Sequence, residues 1–269
     1  MSAATYWRCA PAADFAVLGD PVGHSWSPVM HHAAYAARSL NLRYEALQVP
    51  LEELAEALDE LTELGYRGVN CTVPLKEAAF AWATSMDEES RAYGALNTLR
   101  LADRLGTNTD APGLRDTFDD LGVPAGASVL LLGAGGTARA VARSLTLAGH
   151  PVRVYNRTRA NAERMVAELG LDLPVANSLD PGGAAVVLNA TSAGLSGDAL
   201  EIDWTRAESG VLAYDLLYGR EPTPFLAAAF AAGCRVVDGR ALLAAQGARS
   251  FAWWLGGEPP RAEMRAALP

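Results

Sequence analysis

The sequence is poor in the residues that build metal sites and disulfide scaffolds: it holds 3 cysteines and 4 histidines in 269 residues. Cys9, Cys71 and Cys234 are odd in number, far apart and without a CxxC pair, which argues against a disulfide framework and a zinc site alike. Each is expected to be a small buried hydrophobe. His24, His31, His32 and His150 have no metal-ligand spacing, so no metal is expected. Positive charge is also in deficit, with 22 Lys and Arg against 31 Asp and Glu and a net charge of −9. A surface for a phosphate backbone would be built against that field, and nucleic acid is not an expected partner. Long apolar runs are missing as well. No stretch reaches the roughly 18 residues that span a bilayer, and the opening MSAATYWRCAPAADFAV lacks a basic segment followed by a sustained apolar core. No membrane partner and a reducing cytoplasm are the expectations.

What is present suits a packed core, since 50% of the residues are hydrophobic and 20% charged. A prior of about 100 to 200 residues per domain favours two domains. Short β-branched runs alternate with Ala- and Leu-rich stretches at helical spacing, the pattern of a mostly parallel sheet covered by helices, so the class is α/β. Strands are expected at Phe15 to Leu18, Tyr44 to Val49 and Gly68 to Val73, helices from Pro28, Leu51 and Lys76, and a hairpin from Leu96 to Thr107. A second series follows Asp110, with strands at Val129 to Leu132, Val152 to Tyr155, Val186 to Asn189, Val211 to Leu216 and Arg235 to Val237. This predicts a Rossmann-type dinucleotide-binding domain over 110–239, and an N-terminal substrate-binding domain of 1–109 joined by 240–269. The apolar helix Ala241 to Leu255 carries more hydrophobic surface than a surface helix needs, so it is expected to return to the first domain.

After the strand ending at Leu132 comes Gly133-Ala134-Gly135-Gly136-Thr137-Ala138, then a helix. A glycine turn between a strand and a helix N-terminus lets backbone approach a pyrophosphate where free N–H groups and the helix dipole favour negative charge. A fold preferring NAD usually places Asp or Glu at the end of the next strand to hold the ribose 2′-hydroxyl. Here Asn156-Arg157-Thr158-Arg159 stands there instead, with no carboxylate to repel a 2′-phosphate and guanidinium groups to bind one. NADP is the expected cofactor.

Four polar stretches precede that loop. In Gly19 to Pro28, Ser25 and Ser27 lie just before a helix, where Ser27 can act as its cap and the pair can seat a carboxylate. Gly68 to Lys76 contributes Thr72 and Lys76, Gly94 to Thr98 contributes Asn97, and Gly106 to Asp110 ends on a carboxylate. Together they supply an ammonium, a carboxylate and several neutral hydrogen-bonding groups, which suits a polyhydroxylated acid. Oxidation of a secondary alcohol by a nicotinamide needs one positioned proton carrier, and Lys76 with Asp110 can serve.

These stretches in this order, followed by GAGGTARA, NRT, NATSAGL and DGRALLAAQGARSFAWWLG, resemble the shikimate dehydrogenase family, which includes shikimate/quinate enzymes, across nearly the whole chain. The resemblance implies reduction of 3-dehydroshikimate to shikimate with NADP in aromatic amino-acid biosynthesis. Ser25 and Ser27 would bind the substrate carboxylate, Thr72, Asn97, Tyr218 and Gln246 the ring substituents, and Lys76 and Asp110 would be the catalytic pair. Gly133, Ala134, Gly135, Gly136, Thr137 and Ala138 would hold the pyrophosphate, and Asn156, Arg157 and Thr158 the 2′-phosphate. Asn189, Ala190, Thr191, Ser192, Leu216, Tyr218 and Gly239 would line the nicotinamide side. The sequence departs from the family pattern at His32, Ala111, Leu242 and Asn161, where Asn, Gly, Met and a basic residue are common; Arg159 could replace the last. Two readings stand beside this one: a quinate-active relative using NAD or both cofactors, and a silent NADP-binding paralogue, which would be expected to lack Lys76 or Asp110. Monomer and homodimer both fit the sequence.

Overall fold

A computed structural model describes residues 4–194 and 199–269, in two compact units. One holds the chain up to Gly113 together with Leu243–Pro269, and the other is Leu114–Leu242. Among the described residues no helix is long and apolar enough to cross a membrane.

The first unit begins with β1 (Thr5–Tyr6), β2 (Phe15–Gly19), α1 (Ser27–Ala37), β3 (Tyr44–Gln48), α2 (Leu54–Glu63), β4 (Gly68–Cys71) and α3 (Lys76–Trp82). It continues through β5 (Ser85–Met86), α4 (Glu88–Tyr93), β6 (Thr98–Arg100), β7 (Leu105–Thr107) and the start of α5 (Asp110–Asp120). Its sheet has the order β1-β3-β2-β4-β6-β7-β5, with β6 antiparallel to both neighbours. All of β2 is buried, which is why Phe15 to Gly19 is a continuous small and apolar run rather than an alternating one. The helix α2 buries Leu54, Ala57, Leu58 and Leu61, one face at helical spacing, in a core with Leu18, Leu47, Val69 and Leu99.

The chain leaves β2 for β3 on one side, then crosses to β4 on the other. Strand order therefore reverses between β2 and β4, the place where α/β sheets open a ligand crevice. The loops after these two strands run against each other: Thr72 N donates to Leu18 O at 2.8 Å and Asp20 N to Val73 O at 3.1 Å. A Cβ on Gly19 would stand 2.5 Å from Thr72 Cγ2, so only glycine permits that approach. Because β6 is antiparallel, its start at Thr98 lies beside Asn70 of β4 and Thr107 of β7, which brings a further connection to the same sheet edge.

The second unit contains β8 (Val129–Leu132), α6 (Gly136–Leu147), β9 (Val152–Tyr155), α7 (Arg159–Leu169), β10 (Val186–Asn189), β11 (Leu212–Asp215), α8 (Pro224–Ala231) and β12 (Arg235–Val237). Its sheet is wholly parallel in the order β12-β11-β10-β8-β9, and a lone bridge from Val154 to Val175 stands outside β9 where a sixth strand would add. Leu131, Val154, Leu188 and Tyr214 face one core with α6 and α7; Leu130, Leu132, Val187 and Ala213 face another with Phe225 and Leu226 of α8. The order reverses between β8 and β10.

The chain ends with α9 (Arg240–Leu255) and α10 (Arg261–Ala266), and the unit boundaries fall inside α5 and α9. The return of the C-terminal helix is carried by Trp254, stacked on Phe15 at 4.6 Å between ring centroids and donating its indole N–H to Leu99 O at 3.0 Å.

Several local expectations are corrected. The first helix starts at Ser27 rather than Pro28, and Leu51–Glu53 is a 3-10 turn ahead of α2. Cys71 and Cys234 are buried, but Cys9 is exposed. The two-residue strands β1 and β5 and the helices α4 and α10 were not anticipated.

Candidate active site

In the first unit the catalytic candidates head two helices. Lys76 is the first residue of α3 and Asp110 the first of α5, and Lys76 Nζ donates to Asp110 Oδ2 at 2.6 Å, with about a fifth of each side chain exposed. The other carboxylate oxygen accepts from Asn97 Nδ2 at 2.9 Å. Asp110 is fixed from behind by Asn108, whose Oδ1 accepts from the N–H groups of Asp110 and Ala111, both at 3.1 Å, while its amide donates to Ala95 O at 2.9 Å. That side chain caps α5. Its position two residues ahead of a helix start was the available signal.

Asn97 is almost fully buried and its orientation follows from its neighbours. Oδ1 accepts from Thr109 N at 2.7 Å, a donor that cannot be an acceptor, so Nδ2 must face Asp110, Thr109 Oγ1 at 3.0 Å and Gln246 Oε1 at 3.4 Å. Behind it lies a polar network that the sequence did not reveal. Asn70 Nδ2 donates to Asn97 O at 2.9 Å, Thr98 Oγ1 at 2.9 Å and Ser250 Oγ at 3.0 Å, and its Oδ1 accepts from Tyr44 OH at 2.7 Å. Ser250 in turn donates to Gln246 O at 3.1 Å. Asn70, Asn97, Thr98, Thr109 and Ser250 are all buried, so α9, β4 and β6 share one satisfied network beneath the Lys76–Asp110 pair. The adjacent Cys71 thiol is pushed up to about 12 by burial, which leaves it protonated and inert at neutral pH.

Ser25 and Ser27 also meet: Ser25 Oγ donates to Ser27 Oγ at 3.2 Å and accepts from Ser27 N at 3.3 Å. Ser27 does not cap its helix, since it is already helical, and Trp26 at the cap position makes no side-chain cap bond. Two hydroxyls at a helix start without a side-chain cap suit a carboxylate. Thr72 is half-buried on the neighbouring loop. Tyr218 belongs to the second unit, apart in sequence and in compact unit from the other five substrate candidates.

In the second unit the glycine loop leaves β8 at the switch point. Gly133 has φ +116°, and an added Cβ would sit 3.1 Å from Ala190 O and 3.2 Å from Thr191 Cγ2, so the loops after β8 and β10 touch here. A Cβ on Gly135 would meet nothing within 4 Å. The N-terminus of α6 has no side-chain cap and no acidic residue in its first turn. Open space in front of free N–H groups fits a pyrophosphate. At the end of β9, Asn156 Nδ2 donates to Thr158 O at 2.9 Å, and Thr158, at the cap position of α7, makes no side-chain cap bond. Arg157 is exposed and has no partner among the described residues, whereas Arg159 is taken up by Glu163 at 2.6 Å, Val175 O at 3.1 Å and Asn177. Arg157 is thus the guanidinium there that is not already engaged by the protein, while Arg159 would have to exchange existing partners to reach a 2′-phosphate.

On the loop after β10, Asn189 Oδ1 accepts from Thr191 N at 3.0 Å and Thr191 Oγ1 at 2.7 Å; Ala190 and Thr191 are half-buried and Ser192 is exposed. Leu195, the last residue of the NATSAGL stretch, lies outside the described residues. Leu216 N donates to Asn189 O at 3.0 Å, and a Cβ on Gly239 would come within 2.2 Å of Leu216 O. These candidates are brought together. Unforeseen is Asp215, which ends β11 fully buried.

The fold and the two clusters define a two-unit α/β protein with a dinucleotide-binding sheet and a separate unit that presents a Lys–Asp pair among neutral hydrogen-bonding groups. Comparison with known proteins agrees. The shikimate dehydrogenase substrate-binding domain matches residues 17–99. A protein of Moorella thermoacetica named shikimate dehydrogenase (NADP(+)) is 42% identical over 94% of this chain and 91% of its own, and one of Methanothrix thermoacetophila with the same name is 39% identical over 94% and 96%. The crystal structure of shikimate 5-dehydrogenase from Thermus thermophilus in complex with NADP(H) and shikimate is 40% identical, with a TM-score of 0.86 over 94% of this chain and 97% of that one. The chain belongs to the shikimate dehydrogenase family.

Proposed function

We propose that this protein catalyses the reversible NADP-dependent reduction of 3-dehydroshikimate to shikimate. The observation that carries the chemistry is the 2.6 Å contact between Lys76 Nζ and Asp110 Oδ2 beside Asn97 and Gln246. Ser25 and Ser27 hold the substrate carboxylate, and Thr72, Asn97 and Gln246 of the same unit hold the ring hydroxyls. NADPH, when bound, supplies the hydride to the ring carbonyl carbon. Lys76 donates a proton to the carbonyl oxygen as its charge develops and takes it back in the oxidative direction. Asp110 keeps the ammonium aimed, and Asn97 keeps Asp110 aimed. The backbone of Gly133 to Ala138 and the N-terminus of α6 hold the pyrophosphate, while Arg157 with Asn156 and Thr158 holds the 2′-phosphate.

The contact of Lys76 with Asp110 favours a working acid/base pair over a silent binding protein. Three cysteines in no disulfide suit a reducing cytoplasm. Sedimentation velocity separates a monomer from a homodimer. The test of function follows reduced nicotinamide by absorbance at about 340 nm with shikimate or quinate and NADP or NAD. Shikimate with NADP should give the highest kcat/KM. Silence with every pairing would overturn the catalytic reading, and preference for quinate would move the protein to the sister activity.

A further inference from the structure

Asp215 has no exposed surface, and the charge that bears on it, Asp238, is a repulsive one. Burial pushes its carboxyl above the ordinary range, against the hydrogen bonds it accepts from Thr223, Leu217 and Asn189. A buried carboxyl without a cation is costly, and the sheet does not call for it: β10 and β11 already pair in parallel from Val186↔Leu212 to Asn189↔Asp215 through backbone alone. An apolar residue would serve a strand end as well.

What Asp215 does hold is loops. Oδ1 accepts from Asn189 Nδ2 at 3.0 Å and from Leu217 N at 3.0 Å; Oδ2 accepts from Thr223 Oγ1 at 2.5 Å, the cap of α8. Asn189 passes the constraint on through its two bonds to Thr191, whose Oγ1 accepts from Ala193 N at 3.1 Å. Leu217 O receives Gly239 N at 2.9 Å. One carboxyl thus ties the connection after β10, the connection after β11 and the start of the segment after β12.

We propose that Asp215 is a positioning residue for the nicotinamide half of the cofactor, fixing the loops after β10 and β11 so that their backbone and Thr191 present one arrangement to the ring. This rests on the assignment of those loops to the nicotinamide side. The pyrophosphate loop and Arg157 hang from β8 and β9 and make no bond to Asp215.

The test compares two ligands by titration calorimetry: NADPH, and 2′-phospho-ADP-ribose, which lacks the nicotinamide. Wild type should bind NADPH more tightly. In Asp215→Ala the NADPH affinity should fall on the order of tenfold while the fragment stays within about twofold, because only one half of the site is loosened. Asp215→Asn should recover most of the loss, its carbonyl accepting from Asn189 and Leu217 while its amide donates to Thr223 Oγ1. Thr223→Val, which removes one bond, should fall between and carries the same comparison if Asp215→Ala does not fold. Equal losses for both ligands, or none in Asp215→Ala, would overturn the proposal. A wild-type protein that gains nothing from the nicotinamide half would instead remove the assignment of the loops, and the role of Asp215 with it.

Discussion

Replacing Arg157 by alanine tests the cofactor assignment at its sharpest point. Two arginines follow β9, and the structure gives them different work. Arg159 is bound on three sides, to Glu163, Val175 O and Asn177, and so ties the start of α7 to the segment that bridges β9. Arg157 makes no hydrogen bond or ion pair among the described residues and is exposed. Removing its side chain therefore costs the folded state almost nothing, within about 0.5 kcal/mol as for ordinary surface substitutions. A hydrogen bond to a charged group contributes about 1.5 to 3 kcal/mol, and each 1.4 kcal/mol is about tenfold. Arg157→Ala should thus lose about 10- to 150-fold in kcat/KM for NADP, leave kcat/KM for NAD nearly unchanged, and keep its melting temperature. Arg159→Ala is the control. It loses an exposed helix pair worth about 0.3 to 0.5 kcal/mol and two tethers to the 175–177 segment, so it should lower stability slightly and leave the NADP to NAD ratio in place. Steady-state kinetics with both cofactors on the three proteins, beside thermal melts, give the answer. An unchanged ratio in Arg157→Ala, or a larger fall in Arg159→Ala, would refute the division of labour.

Lys76→Ala should lose about 10² to 10⁴ in kcat with a smaller change in KM, read from initial rates; near wild-type kcat would remove Lys76 from the proton transfer. Ser250→Ala deletes a shared partner of Asn70 and Gln246 in a buried network and should cost about 1 to 3 kcal/mol in urea unfolding, whereas a change under about 0.5 kcal/mol would show that the network relaxes around the gap. His31 is fully buried against Tyr44 with neither ring nitrogen bonded, and burial followed by the charge of His32 lowers its pKa from 6.5 to about 3. Below pH 6.5 the unfolded chain gains a proton that the folded chain refuses, so stability falls as pH falls from 6.5 toward 3, by about 2 kcal/mol at pH 5 from this residue. His31→Phe, which keeps a ring on Tyr44, should flatten that part of the urea midpoint between pH 7.5 and 5; an identical slope would assign the effect elsewhere.

The strands of the second unit were legible nearly to the residue because β8, β9, β10 and β12 are short runs carrying valine or leucine and closed by glycine, asparagine or aspartate, and the fully buried β8 and β10 have the continuous apolar composition of parallel strands covered on both faces. The elements that escaped notice have no such pattern. β1 and β5 are two residues long, and α4 reads EESRAY, with no apolar period to find; Asp87 starts it by accepting from Ser90 N. The helix at Ser27 began one residue early for a related reason: Pro28 fixes its own φ but cannot say whether the residue before it is helical.

The candidate site divides along the same line. Residue types and motif order could suggest an ammonium, a carboxylate and a serine pair, but which groups touch depends on strands far apart in sequence. Lys76 meets Asp110 because β4 and β7 flank an antiparallel β6, and no local pattern encodes that sheet order. Supporting residues are harder still. Ser250 looks like the polar face of an amphipathic helix, and Asp215 like the solvent-facing end of a strand, because a sequence shows a polar side chain and not its burial. In both cases the buried polar group is costly unless it is bonded, and in both the bonds run to a segment that carries a candidate ligand contact. Alternation defeats the reading at Arg157 and Arg159, two like residues two positions apart at a helix start. Only the position of Asn177 and Val175 decides which is spent on the fold and which stays unengaged.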